Sequence, residues 1–181
     1  MSTLLKSPVN STDHIRGNSN APLELVEYGD FECSDCAHAY PIIKTIQQAL
    51  GDDLKFVFRN FPLSVTHPHA VNAAVAAEAA ALQNKFWEMH DIILQNQKHL
   101  ESDDLLLYAK TIKLDSNQFI SDIQNNALFA KVEADFESGI RSGVNRTPSF
   151  FINGLKYEGG SDAAELIYYL KSKLSELKSA Y

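Results

Sequence analysis

The hydrophobic and polar positions in the first third of the chain predict a strand, a helix and a second strand. Residues 23–31 (LELVEYGDF) are rich in β-forming side chains and predict a buried strand that ends near Gly29. Across residues 35–50 apolar side chains recur at helical spacing, and Gly51 supplies a stop. Residues 54–61 (LKFVFRNF) alternate like a second strand. This order predicts two parallel strands joined by a right-handed crossover.

The middle of the chain has the pattern of a helical block. Residues 67 to about 141 contain no strand-like run, and their apolar side chains recur at helical spacing. Alanines in the run AVNAAVAAEAAAL would let neighbouring helices approach closely. We therefore predict four or five helices here, inserted into an α/β unit.

The last part of the chain returns to strands and ends in a helix. SFFING and LKYEGG predict two strands around an Asn153-Gly154 hairpin, and Ser161 is a candidate N-cap for a final helix with one apolar stripe. We expect an N-terminal segment, an α/β domain in two pieces and a helical insertion. These parts span residues 1–21, residues 22–65 with 144–181, and residues 66–143.

Composition and charge exclude several classes of function. The 181 residues are 45% hydrophobic, which suits one good core, and the formal charge is −7 with the 16 Lys and Arg residues scattered. Nucleic acids and anionic membranes need a basic patch, so we expect neither as a partner. The polar first residues lack the apolar core of a secretion signal, and the alanine-rich run is too short to span a bilayer. We expect a cytoplasmic protein with reduced cysteines.

The only two cysteines, Cys33 and Cys36, stand between the first predicted strand and its helix. A C-x-x-C pair at this point of a βαβ unit favours thioredoxin-like redox chemistry. A zinc site would need two more ligands from scattered histidines, and a c-type haem site would need a histidine where Ala37 stands. A pair of inert buried thiols stays open as an alternative.

Position along the helix gives the two thiols different roles. Cys33 precedes the first turn, where free N–H groups and the helix dipole favour a thiolate, so we assign it as the nucleophile. Cys36 lies one turn deeper, and we assign it as the resolving thiol. Glu27, on the strand just before the pair, is a candidate proton acceptor with a raised pKa, if it is buried rather than exposed at an edge or bonded to a helix cap.

Several separated motifs carry a family resemblance. DHIRGNSNAPLELVEYGDFECSDC, FRNFPL, HPHA, FWEMHD and the later GV and TPSFFING agree in order and spacing, from about Asp13 to Lys171. In these motifs the chain resembles the DsbA-like thiol–disulfide oxidoreductases, in which a helical domain interrupts a thioredoxin fold. The resemblance implies that Cys33 and Cys36 are the redox pair and that Glu27 is the buried acid. It also implies that Thr147-Pro148 is a cis-proline loop facing the disulfide.

The chain also departs from the family pattern beside the sulfur. Ser34-Asp35 replaces a dipeptide that is usually proline followed by an aromatic residue or histidine, and Arg146 stands where glycine is common. Arg146 should favour the Cys33 thiolate, whereas the nearby carboxylates Asp30, Glu32 and Asp35 should oppose it. We expect a Cys33 pKa that is lowered but not extreme, and a potential towards the reducing end.

Other prominent residues have plain structural interpretations. The aromatic residues and Met89 of FWEMHD have helical spacing and are assigned to the core. His67 and His69 flank Pro68 before a predicted helix, and without a third metal ligand in view we assign them to the helix start.

The sequence therefore predicts an α/β protein with a thioredoxin fold and a helical insertion. The expected reaction is dithiol–disulfide exchange with protein thiol or disulfide substrates and a redox partner, with no cofactor and no metal. Two alternatives stay open. One is a reductase or isomerase that works with a low-molecular-weight thiol, and the other is a peptide-binding, chaperone-like module whose thiols are incidental.

Overall fold

The computed structural model describes residues 3–159 and 163–179, which form five strands and seven α-helices. The strands are β1 (His14–Gly17), β2 (Leu23–Gly29), β3 (Leu54–Asn60), β4 (Ser149–Ile152) and β5 (Leu155–Lys156). The helices are α1 (Ser34–Leu50), α2 (Ala70–Ala81), α3 (Phe86–Gln95), α4 (Ser102–Thr111), α5 (Ser116–Asp122), α6 (Asn126–Arg141) and α7 (Ala163–Ser179). The predicted N-cap Ser161 lies outside the described residues.

The strands form one mixed sheet in the order β1-β3-β2-β4-β5. β2 and β3 are parallel, as the strand–helix–strand pattern predicts, and the other neighbours are antiparallel. Asn153 and Gly154 connect β4 to β5 with φ angles of 47° and 78°, which suits the Asn-Gly pair. With the helical block between β3 and β4, this is the predicted thioredoxin fold.

Alternating side chains of the buried strands divide the core between the two faces of the sheet. On one face, Leu25, Phe56 and Phe58 pack with α1, α7 and the helical block. On the other face, Tyr28 and Phe151 belong to a smaller cluster. The side chains of β2 and β3 are buried on both faces because helices and the N-terminal segment cover the sheet.

Small side chains let α2 sit inside the helical block. Nine of its twelve residues are buried, and most of these are alanines, so α3 and α6 pack directly against it. Its one buried acid, Glu78, accepts hydrogen bonds from Asn60 Nδ2 (2.7 Å) and pairs with His14 Nε2 (2.8 Å). Asn60 Nδ2 also donates to Asp135 of α6 at 3.2 Å. These polar contacts join the helical block to the end of β3.

Within residues 3–159 and 163–179, none of the helices has the length and apolar character needed to cross a bilayer.

The sequence analysis assigned no strand to the N-terminal segment, but β1 lies there and pairs antiparallel with β3. This strand is short, and its position depends on distant side chains. The guanidinium of Arg16 lies 4.3 Å from the centre of the Trp87 ring and 3.0 Å from Asp91 Oδ2. A local sequence pattern does not contain these contacts.

Arg59 of β3 fastens the N-terminal segment to the sheet. It forms a two-point ion pair with Asp13, with nitrogen–oxygen distances of 2.7 and 2.9 Å, and both side chains are almost fully buried. It also donates to the Ser7 carbonyl (2.7 Å) and to the Tyr28 hydroxyl (2.9 Å). Burial alone would raise the pKa of Asp13, but the hydrogen bonds and charge of Arg59 outweigh it and lower that pKa.

Replacing Arg59 with methionine should reduce the free energy of unfolding by about 3–5 kcal/mol, because Asp13 is then buried without its partner. Urea unfolding at neutral pH measures the change. Arg141→Met is the matched control. The ion pair between Arg141 and Glu137 is exposed, so its loss should lower the free energy of unfolding by less than about 1 kcal/mol. Equal losses in the two variants would contradict this role for Arg59.

Candidate active site

Cys33 occupies the N-cap position of α1, directly after the loop that follows β2. Its backbone is extended (φ −74°, ψ 122°), and its carbonyl oxygen accepts the N–H groups of Cys36 and Ala37 at 3.1 and 3.2 Å. The sulfur therefore lies where the first-turn N–H groups of the helix are free to face it.

The two thiols differ in burial as the sequence analysis expects. Both cysteines are free; Cys33 is 8% exposed, whereas Cys36 is fully buried. The Cys36 sulfur accepts a hydrogen bond from the backbone N–H of Asp30 at 3.4 Å. Incoming molecules can therefore reach Cys33 but not Cys36.

The acidities of the two thiols are pushed apart. A hydrogen bond from the Cys36 thiol outweighs burial and lowers the pKa of Cys33 to about 5, with help from Thr147 and from the N–H groups of Cys36 and Asp35. Burial raises the pKa of Cys36 well above its usual value, and its hydrogen bond to Cys33 adds to this. At neutral pH Cys33 is a thiolate and Cys36 a thiol.

Glu27 lies on β2 and is 4% exposed, so it is buried rather than at an exposed edge. Burial is the main cause that raises its pKa to about 8, and the negative charge of Cys33 adds to it. Gly29 makes room on the same face of the strand, since a Cβ there would clash with the Phe58 ring and lie 3.2 Å from Glu27 Oε1. Glu27 thus shares the buried environment of both sulfurs.

The loop before β4 covers the Cys33 sulfur from the other side. The Thr147–Pro148 peptide bond is cis, and when Cys33 is protonated its thiol donates a hydrogen bond to the Thr147 carbonyl oxygen at 3.4 Å. The Thr147 hydroxyl is buried and has no hydrogen-bond partner among the residues that the structure describes. It is therefore a free donor close to the sulfur.

A groove of about 510 Å³ runs beside this loop. Its charged lining residues have both signs: Asp35, Arg146, Lys156 and Glu158. Asp35 and Arg146 are exposed to solvent. Solvent screening therefore weakens the effect of both charges on Cys33.

Asp30 and Glu32 are engaged in hydrogen bonds that sequence spacing does not show. The Asp30 carboxylate accepts the N–H groups of Glu32 and Leu63 and contacts His67 Nδ1, all at 2.8 Å. Glu32 accepts the backbone N–H of His69, the N-cap residue of α2, at 2.7 Å. His67, assigned from sequence only to a helix start, is therefore also a neighbour of the site.

Gln97 is a second neighbour that the sequence analysis missed. Its side-chain amide donates to the carbonyl oxygens of Phe31 and Cys33 at 2.9 and 2.8 Å. Gln97 follows α3, so the helical block holds the loop before Cys33 in place. No local motif marks a glutamine for this contact, since it joins residues more than sixty positions apart.

Within residues 3–159 and 163–179, no group of three or more His, Cys, Asp or Glu side chains is arranged so that it could hold a metal ion. FWEMHD lies in the core as predicted, with Phe86, Met89 and His90 buried.

Two solved structures have the same fold over nearly the whole chain. Oxidised BdbD from Bacillus subtilis superposes with a TM-score of 0.84 at 22% identity, covering 97% of this chain and 100% of that one. α-DsbA1 from Wolbachia pipientis gives a TM-score of 0.82 at 20% identity, covering 97% of each chain. The fold is therefore the DsbA-like form of the thioredoxin fold.

Relatives with higher sequence identity are longer proteins, and this chain matches one segment of each. The Na(+)/H(+) antiporter NhaA 1 of Mycolicibacterium vanbaalenii is 43% identical over 171 residues, which are 93% of this chain and 28% of the antiporter. NhaA of Herminiimonas arsenicoxydans is 41% identical over 170 residues, which are 93% and 27% of the two proteins. The chain thus spans about a quarter of the length of these relatives.

The family model described as thioredoxin matches residues 9–172. That range contains the whole sheet, α1, the helical insertion and the Cys33–Cys36 pair. The chain belongs to the thioredoxin family.

Proposed function

We propose that this chain is a thiol–disulfide oxidoreductase that acts on protein substrates through Cys33 and Cys36. The observation that carries the proposal is a pair of thiols one helical turn apart at the start of α1, with Cys33 8% exposed and Cys36 fully buried, whose acidities are pushed in opposite directions. Ion transport is not part of the proposal, because the antiporter relatives match over about a quarter of their length.

The first step is attack of the Cys33 thiolate on one sulfur of a substrate disulfide. A bond forms between that sulfur and Cys33, the substrate disulfide breaks, and the second substrate sulfur leaves as a thiolate. Cys36 then loses its proton and attacks the Cys33 sulfur. The mixed disulfide breaks, the substrate leaves as a dithiol, and Cys33 and Cys36 form a disulfide. Two electrons pass to the substrate, and the reverse sequence oxidises a substrate dithiol.

Glu27 takes the Cys36 proton in this scheme. The charge of the Cys33 thiolate helps to raise the pKa of Glu27, so Glu27 is mostly protonated in the reduced protein at neutral pH. Forming the mixed disulfide removes that charge, and the pKa of Glu27 falls. A larger share of Glu27 is then ionised, and this carboxylate can accept the Cys36 proton in the mixed-disulfide state.

The groove beside Thr147-Pro148 supports protein substrates. The groove lies next to Cys33, and its volume can hold several side chains. Backbone groups of the loop can pair with an extended substrate segment as an added strand. Its mixed charges suit polypeptides of varied sequence.

A Cys33 pKa of about 5 supports an intermediate redox potential. It lies between the values of about 7 and about 3.5 that mark a reducing and a strongly oxidising member of this fold. Equilibration with glutathione measures the potential. The cytoplasmic location expected from the sequence stays a prediction.

Cys36→Ser should accumulate mixed disulfides with insulin or another disulfide-bonded protein, because the resolving thiol is absent, whereas Cys33→Ser should trap almost none. Non-reducing electrophoresis counts the adducts, and insulin reduction by the unmodified chain tests turnover. The reverse trapping pattern would exchange the two roles. Equal peptide binding by all three proteins without turnover would favour a chaperone-like module, and turnover of small disulfides alone would favour a low-molecular-weight thiol partner.

Glu27→Gln should stabilise the reduced protein increasingly as the pH rises. The folded-state pKa of about 8 exceeds the ordinary value of 4.5, so the stability contributed by Glu27 is complete below pH 4.5 and is lost as the pH rises through 8. In urea unfolding, the free energy of unfolding of the variant should exceed that of the wild type by on the order of several kcal/mol near pH 8 and by little near pH 4.5. Glu24→Gln, which alters a partly exposed pair with Lys55, is the control and should show no such trend. A pH-independent difference for Glu27→Gln would contradict the raised pKa.

Thr147→Val should raise the pKa of Cys33 by roughly one unit, because it removes the hydroxyl that can donate to the sulfur once Cys33 is ionised. The valine has the same shape and breaks no bond of the thiol form, since the hydroxyl has no partner among the described residues. Thr147→Ser keeps the donor and should titrate like the wild type. Thiolate absorbance against pH gives both values, and identical curves for valine and serine would exclude the hydroxyl as a donor.

A further inference from the structure

We infer that His67 is a positioning residue for thiol exchange: its imidazolium, held on the Asp30 carboxylate, stabilises the Cys33 thiolate from the loop that leads into the helical block. The inference rests on the proposed function and adds a residue to that site. It is carried by the hydrogen bonds of Asp30, which join this loop to both cysteines.

The Asp30 carboxylate is the fixed point of the arrangement. Asp30 is 1% exposed and follows the last residue of β2. One carboxylate oxygen accepts the Glu32 N–H, while the other accepts the Leu63 N–H and contacts His67 Nδ1, each at 2.8 Å. These contacts fix the carboxylate in place and hold the imidazole in one orientation.

The backbone of the same residue contacts both cysteines. The Asp30 carbonyl oxygen accepts the Cys33 N–H at 3.2 Å, and the Asp30 N–H donates to the Cys36 sulfur at 3.4 Å. One residue therefore sets the positions of His67, Cys33 and Cys36. The charge on His67 cannot move away from the sulfurs without breaking its bond to Asp30.

The charged groups that face His67 are Asp30 and Glu32 from the loop after β2, and Cys33 at the start of α1. Burial lowers the pKa of His67, but the hydrogen bond to Asp30 and the negative charges of Asp30, Cys33 and Glu32 outweigh it and raise that pKa. Electrostatic coupling is reciprocal, so the thiolate that favours the imidazolium is itself favoured by it.

This arrangement changes the role of the carboxylates beside Cys33. An isolated Asp30 would oppose a second negative charge nearby. Paired with His67, Asp30 instead brings a positive charge to the site and offsets its own. The His67 side chain is 24% exposed, so its charge is partly screened and its effect should be moderate.

The test measures the acidity of Cys33 by the pH dependence of its alkylation, in the full chain. His67→Gln removes the charge and can keep a hydrogen bond to Asp30. At the pH where half of the wild-type Cys33 is ionised, the variant should have roughly one quarter as thiolate. The reduced variant should be roughly threefold easier to oxidise in a glutathione buffer, since the thiolate that stabilises its reduced form is weakened.

Two further variants separate charge from structure. His67→Lys restores a positive charge and should return the Cys33 titration towards that of the wild type. His69→Gln is the matched control: it keeps the backbone N–H that Glu32 accepts, and its imidazole faces Glu101 at 3.6 Å, so Cys33 should titrate as in the wild type.

Each result decides the inference. A raised Cys33 pKa in His67→Gln with restoration by lysine supports it. It is overturned if His67→Gln titrates like His69→Gln, or if lysine fails to restore the acidity, because the effect would then come from the shape of the imidazole. Urea unfolding of each variant shows that the compared proteins are folded. Failure of the proposed function is a separate result, since it would appear as absent adducts in Cys36→Ser while the Cys33 titration is unaffected.

Discussion

The chemistry of this protein depends on keeping the Cys33 sulfur within hydrogen-bond reach of the Cys36 thiol at the first turn of α1. That contact is the largest single cause of the lowered Cys33 pKa, and it is available only if the loop after β2 enters the helix with one geometry. Asp30 holds this loop at the sheet end, Gln97 holds it from the helical block, and Thr147 closes it from the strand side. These contacts fix the loop, and the thiolate itself is stabilised by the Cys36 thiol, the Thr147 side chain and the backbone N–H groups of Cys36 and Asp35.

The helical insertion is accordingly part of the site and not only an added layer. Its first loop carries His67 and the backbone of His69, and the loop after α3 carries Gln97. The block is in turn joined to the sheet through the buried contacts of Glu78, Asn60 and Asp135. A displacement of the block relative to the sheet would break bonds at the active-site loop, so the position of the insertion and the acidity of Cys33 are coupled.

The parts of this arrangement that a sequence can predict are those set by local periodicity and by position. The buried strand β2, the helix α1 and the parallel strand β3 follow from the spacing of apolar residues, and Cys33 is placed at a helix start by its position between them. The position of Glu27 near the cysteines follows from its place on β2, just before them in the chain. The strand β1, the Gln97 contact and the bond between His67 and Asp30 depend on residues that are 37 to 75 positions apart in the chain, and no local pattern carries them. The carboxylates near Cys33 show why counting charges along the sequence misleads. Asp30 is buried and contacts two backbone N–H donors and His67, whereas Asp35, which is also within three residues of Cys33, is exposed to water.

The raised pKa of Glu27 and the lowered pKa of Cys33 also act in opposite directions on the stability of the reduced protein. The pKa of Cys33 is lowered from 9.0 to about 5. The stability that Cys33 contributes is therefore fully present above pH 9 and is lost as the pH falls through 5. The pKa of Glu27 is raised from 4.5 to about 8. The stability that Glu27 contributes is therefore present below pH 4.5 and is lost as the pH rises through 8. Between pH 5 and 8 the two trends oppose each other, and the stability of the reduced state should vary little with pH. What does change across the reaction is the location of the negative charge. It rests on Cys33 before attack. Once Cys33 is bound to a substrate that like charge is gone and a larger share of Glu27 is ionised, although burial, the main cause of its raised pKa, still favours the protonated acid. A carboxyl group with a pKa near neutrality gains and loses its proton readily, which suits it as the base for a deeply buried thiol.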